Sequence, residues 1–326
     1  MFYDLALDLS LAMLFIVMAG TSVFCAGAMW AVNRVVRSVS PRTGASLLFV
    51  VRVFPLLLAL AVTLGLVLPS IFEYEPRSGG ESVSLRLFLL AALGGLIVIG
   101  ITFRCLRVLW TTHRAQRHWR AHSELLRTTE TGLPVYCSKE ATPLLAVTGI
   151  FRPKVFVARK VRENLSASEL SAAIAHELAH VRSLDNLKQL LLKITQPPRW
   201  LNLFHQSDAA WLNASEMAAD EGALASGASA LDLSSALVKV GRLSGAGQMG
   251  AMVAASHLLP AESAIAMRVM HLEKLLASEG QATAPQYRHH GFFRSGPYLL
   301  LIGFSYAICL HAILPWMHDV LELLVK

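Results

Sequence analysis

Four runs of mostly apolar residues constrain this chain before anything else does. They fall at Leu11–Val32, Val53–Phe72, Val83–Phe103 and Pro297–Trp316. A helix needs about 20 such residues to cross the hydrocarbon core of a bilayer, and each run meets that length. One or two could be core helices of a large soluble protein. Four of them in 326 residues, with 54% hydrophobic and only 16% charged residues against roughly 25% charged in ordinary soluble domains, point to membrane spans. The second run carries Pro55 and Pro69 near its ends. The third contains Ala91, Gly94 and Gly95, small residues that let a neighbouring helix approach closely. Cys25 and Cys309 lie inside apolar runs, Cys105 at the end of one and Cys137 in a polar stretch, so no disulfide framework or cysteine metal site is indicated.

Charge sets the expected direction. Asp4 and Asp8 precede the first run, whereas Arg34, Arg37 and Arg42 follow it. The loop "EYEPRSGGES" is mainly acidic, and Arg104, Arg107, Arg114, Arg117 and Arg120 follow the third run. Positive residues stay in the cytoplasm. Both termini are therefore expected outside a bacterial inner membrane, with residues 104 to 296 inside. The arginines beside apolar runs fit topology better than nucleic-acid binding, despite a net charge of +7. The opening "MFYDLALD" lacks the basic region of a cleaved secretory signal. Arg52 is expected to snorkel to the inner interface, and His311 to bond between helices.

Between the third and fourth runs the composition becomes mixed. "LPVYCSK" and "RPKVFVARKV" read as strands, with Gly149 and Pro153 bounding the turn before the second. Ser166 followed by Glu169 is a capping box that opens a helix. "LKQLLLKI" is a short apolar segment ended by Pro197-Pro198; residues 208 to 225 and 261 to 278 read as helices; "LSGAGQMGA" reads as a loop and "EGQATAPQ" as a linker. The expected fold is mainly α with a small β-sheet. Three transmembrane helices occupy 1–110, a cytosolic domain 111–290 is inserted between spans three and four, and 291–326 holds the fourth span and a short outer tail.

The capped helix carries "IAHELAHVRSLD". At 3.6 residues per turn, His176 and His180 project from one face, side by side, at a separation one metal ion can bridge. Zn2+ accepts imidazole nitrogen and prefers four-coordinate sites. Glu177, next to the first histidine, is placed to act as the general base, taking a proton from the attacking water and passing it to the leaving amine. A third ligand must come from elsewhere. "NASEMAADEGAL" offers Glu216, and Asp220 one turn later could accept the free N–H of a ligating histidine. The set would be His2Glu with one open position, as catalytic zinc requires. Glu221 reads as a solvated position. His205, His257 and His271 read as surface or packing residues, and His113, His118, His122, His289 and His290 as interfacial ones beside the spans.

With these motifs the chain resembles the membrane zinc metallopeptidases of the beta-lactam sensor and antirepressor type. The resemblance rests on the order of spans around the domain, on "TGIFRPKVFVARKVRENLSASELSAAIAHELAHVRSLD", on "SEMAADEGAL" and on the arginine-containing "IAMRVMHL". It implies a thermolysin-like domain in which His176, His180 and Glu216 bind Zn2+ and Glu177 is the base. It also implies that Asp220 and Asp185 are supporting carboxylates and that Arg268 lies near the cleft. Sensor members continue beyond the fourth span into a large extracellular domain. Here ten residues follow Trp316, so antibiotic sensing within the chain is not expected. The family's usual Asn-Pro is replaced by Asn202-Leu203, and Asn213 and Ala214 stand where an arginine commonly precedes the ligand glutamate.

The function expected is endoproteolysis at the cytoplasmic face, regulatory in purpose, acting on a transcriptional repressor, another regulator or the chain itself. The strand around Val155 to Val161 is the expected acceptor of an extended substrate, with His205 and Arg268 as candidate donors to the oxyanion. Expected partners are a protein or peptide substrate, membrane lipid, a separate sensor protein and a second copy of the chain, but no nucleic acid. The rival readings are a housekeeping quality-control peptidase and a non-catalytic scaffold with structural zinc.

Overall fold

The computed structural model describes residues 2–74, 84–140, 144–198, 201, 203–248, 261–279 and 313–325. Most of the expected fourth span, the "EGQATAPQ" linker after its first residue, Cys309, His257, His289, His290 and His311 lie outside the described residues. The chain divides into two compact units. One comprises Met1–Ala28, Val51–Phe103 and Tyr287–Lys326, the other Met29–Val50 and Arg104–Gln286.

Among the described residues, three long helical stretches are apolar enough to cross a membrane: Phe2–Val36, Pro41–Tyr74 and Leu85–Ala121. The first is α1. The second is α2 (Pro41–Val62), a π-helical turn (Thr63–Val67) and α3 (Leu68–Tyr74) in unbroken succession. The third is α4. Within the first unit, Leu9, Ala12, Val67, Ile71, Leu87 and Leu321 form a buried cluster. The small-residue stripe in α4 has a visible consequence, since a Cβ added to Gly94 would overlap the Leu11 carbonyl of α1. Side chains such as Phe24, Leu57, Phe88 and Leu96 are exposed, as lipid-facing residues would be.

The second unit joins a four-stranded sheet to a set of helices. Its strands are β1 (Ser123–Thr128), β2 (Pro134–Ser138), β3 (Leu145–Thr148) and β4 (Lys154–Ala158), in the order β1-β2-β4-β3. β4 runs parallel to β2 and antiparallel to β3. This corrects one expectation. β4, which begins the segment expected to receive substrate, is an internal strand with both edges paired, so it cannot accept a substrate strand; β3, which the sequence did not reveal, is the edge strand on its far side, and β1 is the other edge. Val155, Phe156, Val157 and Ala158 are all buried, as a two-sided strand requires.

The helices are α5 (Arg159–Asn164), α6 (Ala167–Arg182), α7 (Asp185–Ile194), α8 (His205–Ala225), α9 (Ala230–Gln248) and α10 (Ala261–Glu279). α6 starts with the expected capping box: the Ser166 hydroxyl accepts from the Glu169 N–H, and the Glu169 carboxylate from the Ser166 N–H. Buried Glu169 also binds Lys239 at 2.7 Å and accepts from the Ser235 hydroxyl, which ties α6 to α9. Of the expected loop "LSGAGQMGA", Leu243–Gln248 instead continue α9 and the rest lies outside the described residues. One face of α6, with Ala173 and Ile174, packs in a cluster with Val135, Val155 and Val157 of the sheet. Another, with Ala172, meets Ala223 of α8, Leu233 of α9 and Leu272 of α10.

Candidate metal centre

The centre is assembled where α6 and α8 come unusually close. Ala179 on α6 and Ala219 and Ala223 on α8 are buried. Gly222 lies so near that an added Cβ would stand 2.9 Å from the Ala179 Cβ. Small side chains bring the two axes together, and this approach carries Glu216 up to the histidine pair.

His176 Nε2 lies 3.2 Å from His180 Nε2. The Glu216 carboxylate lies 3.5 Å from each, through Oε2 to His176 and Oε1 to His180. These spacings can be compared with a bound ion. Four ligands about 2.0–2.1 Å from a tetrahedral zinc stand roughly 3.3 Å apart along each edge. The two Nε2 atoms already lie at about that spacing and each has one Glu216 oxygen 3.5 Å away. Among the described residues His176, His180 and Glu216 form one of two groups able to hold a metal, with one ligand atom from each within 4.8 Å of the others.

Both rings are oriented from behind. His176 Nδ1 is 2.9 Å from Oδ1 of Asp220, which is fully buried. His180 Nδ1 is 2.8 Å from Oδ2 of Asp185. A Nδ1–H donated to a carboxylate leaves the lone pair on Nε2, the atom that faces Glu216. Asp185 reaches back because the chain reverses sharply after α6. Leu184 adopts a left-handed conformation there (φ 56°), uncommon for any residue but glycine or asparagine.

Arg268 enters from α10 and lies at the centre of the carboxylates. It donates to Glu216 Oε2 at 2.8 Å, to Asp220 Oδ1 at 2.6 Å and to Asp220 Oδ2 at 2.8 Å. Burial opposes ionisation of Glu216 and Asp220, yet Arg268 and the histidines hold both carboxyls below their usual range. Burial and the Arg268 charge press His176 toward neutrality. Hydrogen bonds to Asp220 and Glu216 outweigh them and raise its pKa to about 9. A metal bound at Nε2 must therefore displace a proton, so affinity should fall with falling pH.

Glu177 points toward the sheet, where its Oε2 accepts from the Val147 N–H of β3 at 3.0 Å. Not every candidate joins the group. His205 is the exposed first residue of α8. It stands about 16 Å along the helix axis from Glu216 at 1.5 Å per residue. Glu221 is not a solvated position: it is partly buried and pairs with His271 at 3.2 Å. Two contributors were not legible in the sequence, the Val147 backbone and the full clamp made by Arg268.

Two imidazoles and a carboxylate on neighbouring helices, with a second glutamate beside the first histidine, form a group that could hold a metal ion. The chain matches the family described as BlaR1 peptidase M56 over residues 74–272, more than half its length, and it belongs to that family. With its long apolar helices, it is a membrane metallopeptidase. No curated protein and no solved structure matches the chain.

Proposed function

We propose that the chain is a zinc-dependent endopeptidase of a bacterial inner membrane, cutting at the cytoplasmic face in regulatory proteolysis of a repressor, another regulator or itself. The observation that carries this reading is the convergence of His176 Nε2 and His180 Nε2, 3.2 Å apart, with the Glu216 carboxylate, which sets one oxygen 3.5 Å from each. In this reading four spans hold the protein, and the peptidase domain lies between the third and fourth. The arginines after the third apolar stretch support a cytoplasmic domain.

When bound, zinc would supply Lewis acidity to the peptide carbonyl and lower the pKa of a coordinated water. The rest is done by the protein. Glu177 takes the proton from the attacking water and returns it to the departing amine. Asp220 and Asp185 keep each histidine in the Nε2-donor tautomer. β3 aligns the substrate. In an antiparallel ladder alternate residues turn both backbone groups the same way. Val147 bonds Glu177 rather than β4, so Val147 and Leu145 face outward. An extended peptide added there is indexed directly to the base.

The scaffold reading needs a closed site with four protein ligands, as structural zinc normally has; three converge among the described residues. The test compares wild type with Glu177→Ala in membranes, measuring zinc content and self-cleavage. Zinc should be retained and cleavage lost. Equal cleavage by both would remove Glu177 from the mechanism.

A further inference from the structure

A second cluster of metal-type donors gathers at the end of α4, on none of the helices that build the peptidase centre. His118 lies in the last turn of α4 and His122 directly follows its last residue, Ala121, where its N–H bonds the Trp119 carbonyl. Glu140, just beyond β2, is brought against them: its Oε1 lies 2.9 Å from His118 Nε2 and 3.6 Å from His122 Nδ1. The two rings are 4.8 Å apart, centroid to centroid. One ligand atom from each residue can be chosen so that all lie within 4.8 Å of one another.

We propose that His118, His122 and Glu140 form a second site for a borderline divalent ion of the Zn2+ class, distinct from the peptidase centre. The chemistry matches that class: two imidazoles and one carboxylate suit zinc, nickel or copper, whereas calcium and magnesium require oxygen. His122 Nδ1 also lies 2.9 Å from the His118 carbonyl. Nδ1 is the His122 nitrogen that faces Glu140, so with its N–H donated to that carbonyl the ring must turn to bring Nε2 to an ion. The site is open, with the two histidine side chains 56% and 54% exposed, so the ion exchanges readily and the remaining positions fall to water.

Its place in the fold gives it a role. α4 continues from the third apolar stretch and packs on the sheet: Trp119 meets the Phe156 ring at 5.6 Å, and the Lys139 N–H bonds the His122 carbonyl. Gln116 donates to the Thr148 carbonyl at 2.6 Å, one residue from the Val147 that holds Glu177. An ion at His118, His122 and Glu140 fastens the end of α4 to the end of β2.

The experiment uses the full chain in detergent micelles with a purification tag free of histidine. The protein is stripped with a chelator, re-equilibrated with micromolar Zn2+ and assayed for metal per chain. Wild type should hold two equivalents, His118→Ala/His122→Ala one and His176→Ala/His180→Ala one. Glu140→Gln should weaken the second equivalent at least tenfold. Cobalt substitution supplies a readout independent of occupancy at the peptidase centre: His176→Ala/His180→Ala should keep a Co2+ visible band that further replacement of His118 removes. A single wild-type equivalent that His176→Ala/His180→Ala removes, or a second equivalent that survives His118→Ala/His122→Ala, overturns the proposal. Loss of the peptidase centre itself is read separately, as a wild-type equivalent that His118→Ala/His122→Ala removes and His176→Ala/His180→Ala leaves in place.

Discussion

Replacing Asp220 by asparagine tests the logic of the peptidase centre most directly. Asp220 is fully buried and accepts from His176 Nδ1 at 2.9 Å and from Arg268 at 2.6 and 2.8 Å. Asparagine keeps the shape but puts an NH2 group where one of these N–H donors points, and it removes the negative charge. Breaking a buried ion pair costs about 3–5 kcal/mol. Arg268 keeps its bond to Glu216 at 2.8 Å. The loss in apo stability should therefore lie near the lower limit, about 3 kcal/mol. Zinc affinity should fall about 10–100-fold, because His176 loses the acceptor that fixes its tautomer. Asp185→Asn separates the two effects. It should cost a similar factor in zinc affinity, since Asp185 holds His180 at 2.8 Å. Its cost in stability should be smaller, about 1–2 kcal/mol, because Lys188, its other partner, is partly exposed and can turn to solvent. Zinc affinity is read by competition with a chromogenic chelator in micelles, and stability from thermal unfolding of the metal-free protein. Asp220→Asn with wild-type affinity and wild-type melting would refute the claim that this carboxylate orients the ligand.

Gly222→Val should cost about 1–3 kcal/mol through overpacking and reduce zinc occupancy, because a Cβ there already crowds Ala179 and forces α8 away from α6; metal analysis and melting check both. Gly94→Leu should lower the yield and melting temperature of detergent-solubilised protein, whereas Gly100→Leu, with nothing within 4 Å of its Cβ position, should be tolerated. Lys239, Ser235 and the Ser166 N–H depress the Glu169 carboxyl to about 2. Its stabilising contribution should thus be complete above the unfolded pKa of about 4.3 and disappear as pH falls toward 2. Melting curves of wild type and Glu169→Gln between pH 7 and 3 should converge on acidification; a constant gap would argue against the linkage.

The histidine pair, its neighbouring glutamate, the capping box and the apolar stretches are local facts. Each follows from the fixed rise and turn of one helix or from the length needed to cross a bilayer, so residues a few positions apart specify it. The sequence therefore determined by itself the face on which His176 and His180 project and the start of their helix. The edge position of β3, the burial of β4 between two neighbours, the Arg268 clamp and the meeting of Glu140 with His118 were decided by tertiary packing. They join residues tens of positions apart, and no periodicity records which strand ends at the rim of a sheet or which helix faces a given carboxylate. Glu216 lies between these cases. Its spacing to Asp220 is helical and local, but its approach to the histidines depends on alanines and Gly222 keeping two helices close. That distance results from many weak contacts summed across the interface, each too small to be read from one residue.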